Sequence, residues 1–240
     1  MKPVAIVQQI GHDTPDYFAD FLTAAGIPWQ LFRMDLGEPL PASIRAFSGY
    51  CMLGGPMSVN DEDTLPWLRQ EMSLVQEALA ADIPVIGHCL GGQLIAKAMG
   101  GTVGPVPMPE IGWSRIHLPE PQDAERWLGG EQTVSLFQWH GEGFTVPEGA
   151  RLIASSPYWA NQAFVVGHKH LAMQFHCEVN APKVRYWTIE ERAEIESVQH
   201  HPSVSPADDI LAGLERTIPQ SNQWADRIYR EWIKGLVHGA

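Results

Sequence analysis

The sequence is short of positive charge: 16 Lys+Arg stand against 28 Asp+Glu, a formal net charge of −12 at pH 7. That balance repels phosphate backbones, and no basic run or basic-aromatic patch interrupts it, which argues against nonspecific nucleic-acid binding. Long apolar runs are missing too. No stretch approaches the roughly 18 residues of a transmembrane helix. The start, Met1-Lys2-Pro3-Val4-Ala5-Ile6-Val7, lacks a signal peptide's long apolar region and small-residue cleavage site. Cysteine is scarce: Cys51, Cys89 and Cys177 cannot close a disulfide framework, and their separations match no zinc-ligand spacing. The expectation is a soluble protein of a reducing cytoplasm, off the membrane, with no metal and no cofactor.

What is present suffices for one sizeable core. Hydrophobic residues make up 45% of the 240, a length at which a single domain is the default. In the first hundred residues apolar runs alternate with helical stretches. Strands are expected at Val4–Gln8, Trp29–Arg33, 48–53 and 83–87, and helices at 13–25, 66–81 and 90–99. This alternation predicts a mostly parallel α/β sheet with helices on both faces. Residues 101–130, rich in Pro and Gly, read as irregular loops and short strands. Residues 163–166 and 170–175 read as a hairpin around Gly167-His168-Lys169. From Pro182 onward the pattern is helical, interrupted near His201-Pro202 and Ile218-Pro219, and Trp224, Ile228, Trp232 and Ile233 form a packing stripe. The expected organisation is an α/β unit over 1–185 and a helical extension, 186–240, packed on the same domain.

The most informative stretch is Pro84-Val85-Ile86-Gly87-His88-Cys89-Leu90-Gly91-Gly92-Gln93. A Gly-x-Cys-x-Gly between an apolar strand and a helix has the form of a nucleophile elbow. Its glycines clear space around a strained turn, and the helix N-terminus favours thiolate over thiol at Cys89. The Leu90 N–H points where a carbonyl oxygen would gain charge, half of an oxyanion hole. A buried cysteine in a tight turn has the same local pattern; the flanking strand and helix favour catalysis. A thiolate needs a base, and the base an orienter. His176 and Glu178, at i and i+2 of a strand-like run, supply both on one side. Leu53-Gly54-Gly55-Pro56-Met57-Ser58 offers the Gly55 N–H as second oxyanion donor, and no Gly-Lys-Ser/Thr follows to make it a phosphate loop.

Gly54-Gly55-Pro56, Gly87-His88-Cys89-Leu90-Gly91-Gly92-Gln93 and Gln174-Phe175-His176-Cys177-Glu178-Val179 together resemble the class I, triad-type glutamine amidotransferases, over roughly residues 1–185. The stretches 53–61 and Gln138-Trp139-His140-Gly141-Glu142 look most like the stand-alone, GMP-synthase-like branch. The resemblance implies a doubly wound, flavodoxin-like α/β fold. It implies that Cys89 attacks the side-chain amide of L-glutamine, and that His176, oriented by Glu178, protonates the departing ammonia and then activates water. It also implies substrate binding by Gln93, Gly141 and Glu142, which match positions at the α-amino/α-carboxylate end.

Two departures stand out. Cys177 replaces the usual proline between His176 and Glu178, and is expected to loosen how rigidly they are held. Glu142 replaces the commoner Asp. His140 reads as a loop residue rather than a rival base, because His176 has the matching Glu partner. His168 and His170 read as solvated turn residues rather than metal ligands, Asp61-Glu62-Asp63 as an acidic loop before a helix, and His200-His201 as a helix end. Trp113 and Cys51 read as packing residues.

Three functions follow. The first is glutamine hydrolysis. With no Ser-Gly-Gly-x-Asp-Ser loop or Walker A sequence in the chain, the ammonia would go to a separate synthase subunit or be released. The second is a γ-glutamyl peptidase or hydrolase with the same triad and a larger leaving amine. The third is a non-catalytic regulatory homologue, against which all three triad residues and Gln93 count.

Overall fold

In the computed structural model, which describes residues 1–237, the first strand already sets up two cores. β1 (Val4–Gln8) is buried along its whole length. Val4 and Ile6 enter one apolar cluster while Ala5 and Val7 enter another, as a two-residue period requires of a strand covered on both faces. α1 (Asp16–Ala24), β2 (Trp29–Arg33), β3 (Gly49–Met52), α2 (Trp67–Ala80), β4 (Val85–His88) and α3 (Leu90–Ala98) follow. β2, β1, β3 and β4 lie side by side and parallel. Every element expected in this stretch is there, with only its ends moved.

The middle departs from expectation. β5 (Val103–His117), α4 (Pro121–Leu128) and β6 (Thr133–Phe144) replace the irregular loops and short strands, and β5 and β6 pair as a long antiparallel ribbon. Pro105, Pro107 and Pro109 read as breakers, yet they lie where the register shifts between Pro105 and Glu110. A missing N–H costs a ladder little at such an irregularity.

β7 (Ala150–Ala154), β8 (Ala163–Val166) and β9 (His170–Met173) complete a seven-stranded sheet of order β2-β1-β3-β4-β9-β8-β7. β9 runs parallel to β4, and β8 antiparallel to both its neighbours. The hairpin's second strand stops at Met173, so residues 174–178 lie beyond the sheet.

The rest is helical: α5 (Ala181–Glu190), α6 (Arg192–Val198) and α7 (Ala207–Trp232). The Asn180 side chain caps α5 by accepting the Lys183 N–H at 2.9 Å. The expected break at Ile218-Pro219 does not occur, since α7 runs through Pro219. Pro219 and Glu215 are exposed, so water can reach the carbonyl that loses its partner. Ala225, Ile228, Tyr229 and Trp232 of α7 share a cluster with Ile6, Cys51 and Ile86 of the sheet. A side chain the size of Ile228 contributes about 1.5–3 kcal/mol on burial. The first half of α7 joins α5, α6 and Phe137 in a third cluster. Among the described residues no helix is long and apolar enough to cross a membrane.

Candidate active site

Cys89 stands between β4 and α3 with φ 49° and ψ −108°. Such a backbone costs a residue with a Cβ about 1–3 kcal/mol and persists only where neighbours over-determine it. Here they do. The Cys89 N–H donates to the Met173 carbonyl at 2.9 Å, and the Cys89 carbonyl accepts the Gln93 N–H at 3.0 Å. A Cβ on Gly87 would collide with the Gly91 carbonyl, one on Gly91 with the Met52 oxygen, and one on Gly92 with the Met173 oxygen. The glycines thus let α3 abut three strands and aim its N-terminus at the cysteine. Leu90 opens α3 with its side chain buried in the second core, and its backbone N–H falls in the first helical turn, where the helix supplies no partner.

His176 and Glu178 lie beyond β9, so strand alternation does not aim them. The His176 N–H donates to the Phe137 carbonyl at 2.8 Å in an isolated bridge to β6, and the ribbon sets the imidazole's position. Nδ1–H donates to Glu178 Oε1 at 2.7 Å, with both side chains buried. A Cβ on Gly54 would lie 2.8 Å from His176 Cε1 and 3.6 Å from Cys89 Cβ. Glycine is therefore what lets imidazole and cysteine close around that loop. Trp187 packs edge-on against the imidazole, centroids 5.1 Å apart. Burial disfavours charge on His176, but Glu178 and Cys89 outweigh it and raise the group to about 10. Burial also disfavours the Glu178 carboxylate, yet His176 and Lys183 hold it well below the usual range.

A cavity of about 560 Å³ opens on Cys89. Gly55, Gln93, Gly141 and Glu142 line it on one side, His176 and Trp187 on another. Gln93 Nε2 donates to the Glu142 carbonyl at 3.1 Å and to Gln174 Oε1 at 3.3 Å, tying α3 to residues 141–142. Glu142 Oε2 accepts from Ser58 Oγ at 2.8 Å. A Cβ on Gly141 would meet nothing within 4 Å, so crowding does not require glycine there.

His140, Gly141 and Glu142 all fall within β6, which corrects the loop reading of this stretch. His140 Nδ1 lies 2.9 Å from the Glu142 carbonyl and Nε2 3.1 Å from Glu110 Oε2. A carbonyl only accepts, so Nδ1 carries a proton. Glu110 also accepts from Gln162 Nε2 at 2.6 Å, Ser156 Oγ at 2.8 Å and Ser114 Oγ at 3.2 Å. Both ring nitrogens are thus engaged by protein oxygens, which leaves neither free for the chemistry.

Sequence reasoning assigned no role to Glu110 or Gln174. Gln174 Nε2 donates to Cys89 Sγ at 3.5 Å; the signal was its place in the run ending at His176. No local signal marks Glu110, whose partner is thirty residues away. Cys177, expected to loosen the pair, is buried and donates from Sγ to the Tyr229 hydroxyl at 3.4 Å. His168 contacts Arg126, and His170 lies 3.5 Å from Asp82. Asp61 accepts the Ser58 N–H at 2.9 Å. Among the described residues no group of three or more potential metal ligands assembles.

The family model for glutamine amidotransferase class-I matches residues 22–186. A GMP synthase [glutamine-hydrolyzing] of Streptococcus mutans is 36% identical over 138 residues, 55% of this chain and 25% of that protein. The chain thus spans about a quarter of such a relative's length. The glutamine amidotransferase-like protein YfeJ of Salmonella typhimurium is 30% identical over 206 residues, covering 82% of this chain and 79% of its own. Among solved structures, a glutamine amidotransferase from Methylobacillus flagellatus superposes with a TM-score of 0.96 at 43% identity, over 100% of this chain and 97% of that one. One from Thermotoga maritima gives 0.86 at 26% identity, over 97% and 98%.

Proposed function

The chain belongs to the glutamine amidotransferase class-I family, and from that premise we propose that it hydrolyses the side-chain amide of L-glutamine through a thioester on Cys89. The Cys89 thiolate attacks the γ-carbonyl carbon. The developing oxyanion is met by the N–H groups of Gly55 and Leu90. As the tetrahedral intermediate collapses, the C–N bond breaks and His176 gives its Nε2 proton to the leaving amine, releasing ammonia. The neutral imidazole then takes a proton from water, hydroxide adds to the thioester, and Cys89 leaves as thiolate with glutamate as product. Glu178 holds Nδ1–H throughout, so that Nε2 is the nitrogen that works. Gln93, Gly141 and Glu142 hold the α-amino/α-carboxylate end, with the Glu142 carboxylate meeting the ammonium. The ammonia passes to a separate synthase subunit or into solution.

The observation that carries this reading is the 2.7 Å His176–Glu178 contact meeting the strained Cys89 across Gly54. Ammonia release from glutamine by the purified chain tests it. Turnover is expected in the wild type and none in Cys89→Ala; turnover that survives the substitution defeats the mechanism. A chain that releases no ammonia, and whose Cys89 ignores a glutamine-mimicking electrophile, is a regulatory homologue instead.

The cavity favours a second reading. At about 560 Å³ it falls among pockets that take drug-sized ligands, and it continues past His176 to Trp139, Trp187 and Glu194. A γ-glutamyl amide with a leaving amine larger than ammonia would use the same triad. Comparing glutamine with γ-glutamyl peptides decides: cleavage of peptides with glutamine ignored replaces the first reading by this one.

A further inference from the structure

We propose that Tyr229 of α7 is a positioning residue for the site, one hydroxyl that ties together the chain segments carrying the nucleophile and its base. The proposal rests on the reading of Cys89 and His176 given above. The Tyr229 hydroxyl lies 3.1 Å from His88 Nε2 and 3.4 Å from Cys177 Sγ. His88 immediately precedes Cys89, and Cys177 sits between His176 and Glu178. Tyr229 is fully buried. Its ring packs edge-on to Phe18, centroids 4.8 Å apart, and to His88 at 6.0 Å. It also lies outside residues 22–186, the span matched by the family model.

The hydrogen bonds have one consistent direction. Burial pushes His88 down to about 4, so its ring is neutral. Burial and the nearby Glu178 carboxylate push the Cys177 thiol up, so sulfur keeps its proton and donates it to the Tyr229 oxygen. The hydroxyl proton is then left for His88 Nε2. The single His88 proton sits on Nδ1, toward Cys51 Sγ at 3.9 Å and the Met52 carbonyl. Donors run from the His176–Glu178 segment, through α7, to the strand before Cys89 and on to β3. Each member fixes the rotor of the next. The chain is also the means by which a flexible cysteine between His176 and Glu178 is held in place.

Removing the hydroxyl while keeping the ring leaves the His88 acceptor unmet and the Cys177 thiol free to turn. Displacements well under 1 Å between nucleophile and base lower turnover without touching the Gln93 and Glu142 end of the cavity. The experiment uses the full chain as wild type, Tyr229→Phe, Cys177→Ala and the double variant. It reads glutamine kinetics, the rate of Cys89 alkylation by a glutamine-mimicking electrophile, and melting temperature. Y229F is expected to lose about tenfold in kcat and in alkylation rate with KM within about twofold, and to melt within about 5 °C of wild type. C177A should lose severalfold, and the double no more than Y229F, as expected of residues acting along one path. A folded Y229F with wild-type kcat overturns the proposal, as do losses that multiply in the double. Should Y229F fail to fold, C177A decides: reduced kcat at constant KM supports the proposal and unchanged kcat overturns it. A wild type that hydrolyses no glutamine defeats the earlier reading, whereas unchanged turnover in the variants of an active wild type defeats only this one.

Discussion

Two buried imidazole–carboxylate pairs flank the same cavity, one beyond the C-terminal end of β9 and one across the β5–β6 ribbon. His176 meets Glu178 at 2.7 Å and His140 meets Glu110 at 3.1 Å. All four side chains are 5% exposed or less. Chemistry, separation and burial are therefore alike, and the second ring nitrogen is what divides them. His176 spends Nδ1 on its carboxylate and, in the mechanism proposed above, keeps Nε2 for Cys89 and the leaving group. His140 spends both nitrogens, Nε2 on Glu110 and Nδ1 on the Glu142 carbonyl. On that reading one pair moves protons and the other holds a wall. A titratable pair in a cavity is thus read by the valence it leaves unspent, more than by how perturbed it is.

Removing each imidazole in turn gives the largest expected difference. His176→Asn should lose about 10³-fold or more in kcat with little change in KM. His140→Asn should instead raise KM about tenfold, by releasing the Glu142 carbonyl, and change kcat far less. Steady-state kinetics separate the two, and equal losses in kcat would mean that the pairs do the same work.

Glu178→Gln sharpens the sheet side. It should lower kcat about 10²-fold, since a wrongly held imidazole presents the wrong nitrogen. It should also move the alkaline limb of the pH–rate profile. The carboxylate is one of the charges raising His176 to about 10, so without it the imidazolium loses its proton at lower pH and the limb shifts toward neutrality. A limb that stays put would show that Glu178 does not hold that charge.

Glu110→Gln tests the ribbon by stability. Breaking a buried pair from one side costs about 3–5 kcal/mol, seen as a melting temperature lower by about 10 °C. A variant that melts with the wild type would show that the pair supports nothing.

The smallest effect concerns a third buried carboxylate, Glu71, whose donor is Gln9 at 2.8 Å to each oxygen. With no cation beside it among the described residues, burial pushes Glu71 up to about 8 from 4.5. The folded state then binds the proton more tightly than the unfolded one. That stability is fully present below pH 4.5 and is lost as pH rises through about 8. Glu71→Gln should melt with wild type at pH 5 and above it, by about 5 °C, at pH 9. Identical curves at both pH values would remove burial as the deciding term.

The parallel half of the sheet was legible because β1, β3 and β4 are covered on both faces and leave continuous apolar runs, with helices between them that declare their ends. The elbow at Cys89 was legible because it is local: Gly87, Cys89 and Gly91 sit within five residues. The ribbon was not, because Pro105, Pro107 and Pro109 signal a loop to any local reading and only the register shift at Pro105/Glu110 makes them tolerable. For the same reason Glu110 was invisible as a partner of His140. The pairing is cross-strand, and its distance in sequence is set by a ribbon whose existence was not foreseen. Pro219 misled in the other direction, since its effect on α7 depends on which side of the helix faces water.

The wedge of α7 side chains under the sheet bears on how the molecule is made. Ala225, Ile228, Tyr229 and Trp232 fill part of the core cluster that backs β1, β3 and β4, yet they are synthesised long after those strands. Until that segment emerges from the ribosome, one face of an otherwise assembled sheet lacks part of its cover, and the apolar surface left open is available to other chains. The nascent protein is most prone to aggregate after most of its sheet exists, and that late interval is where a chaperone would have to act.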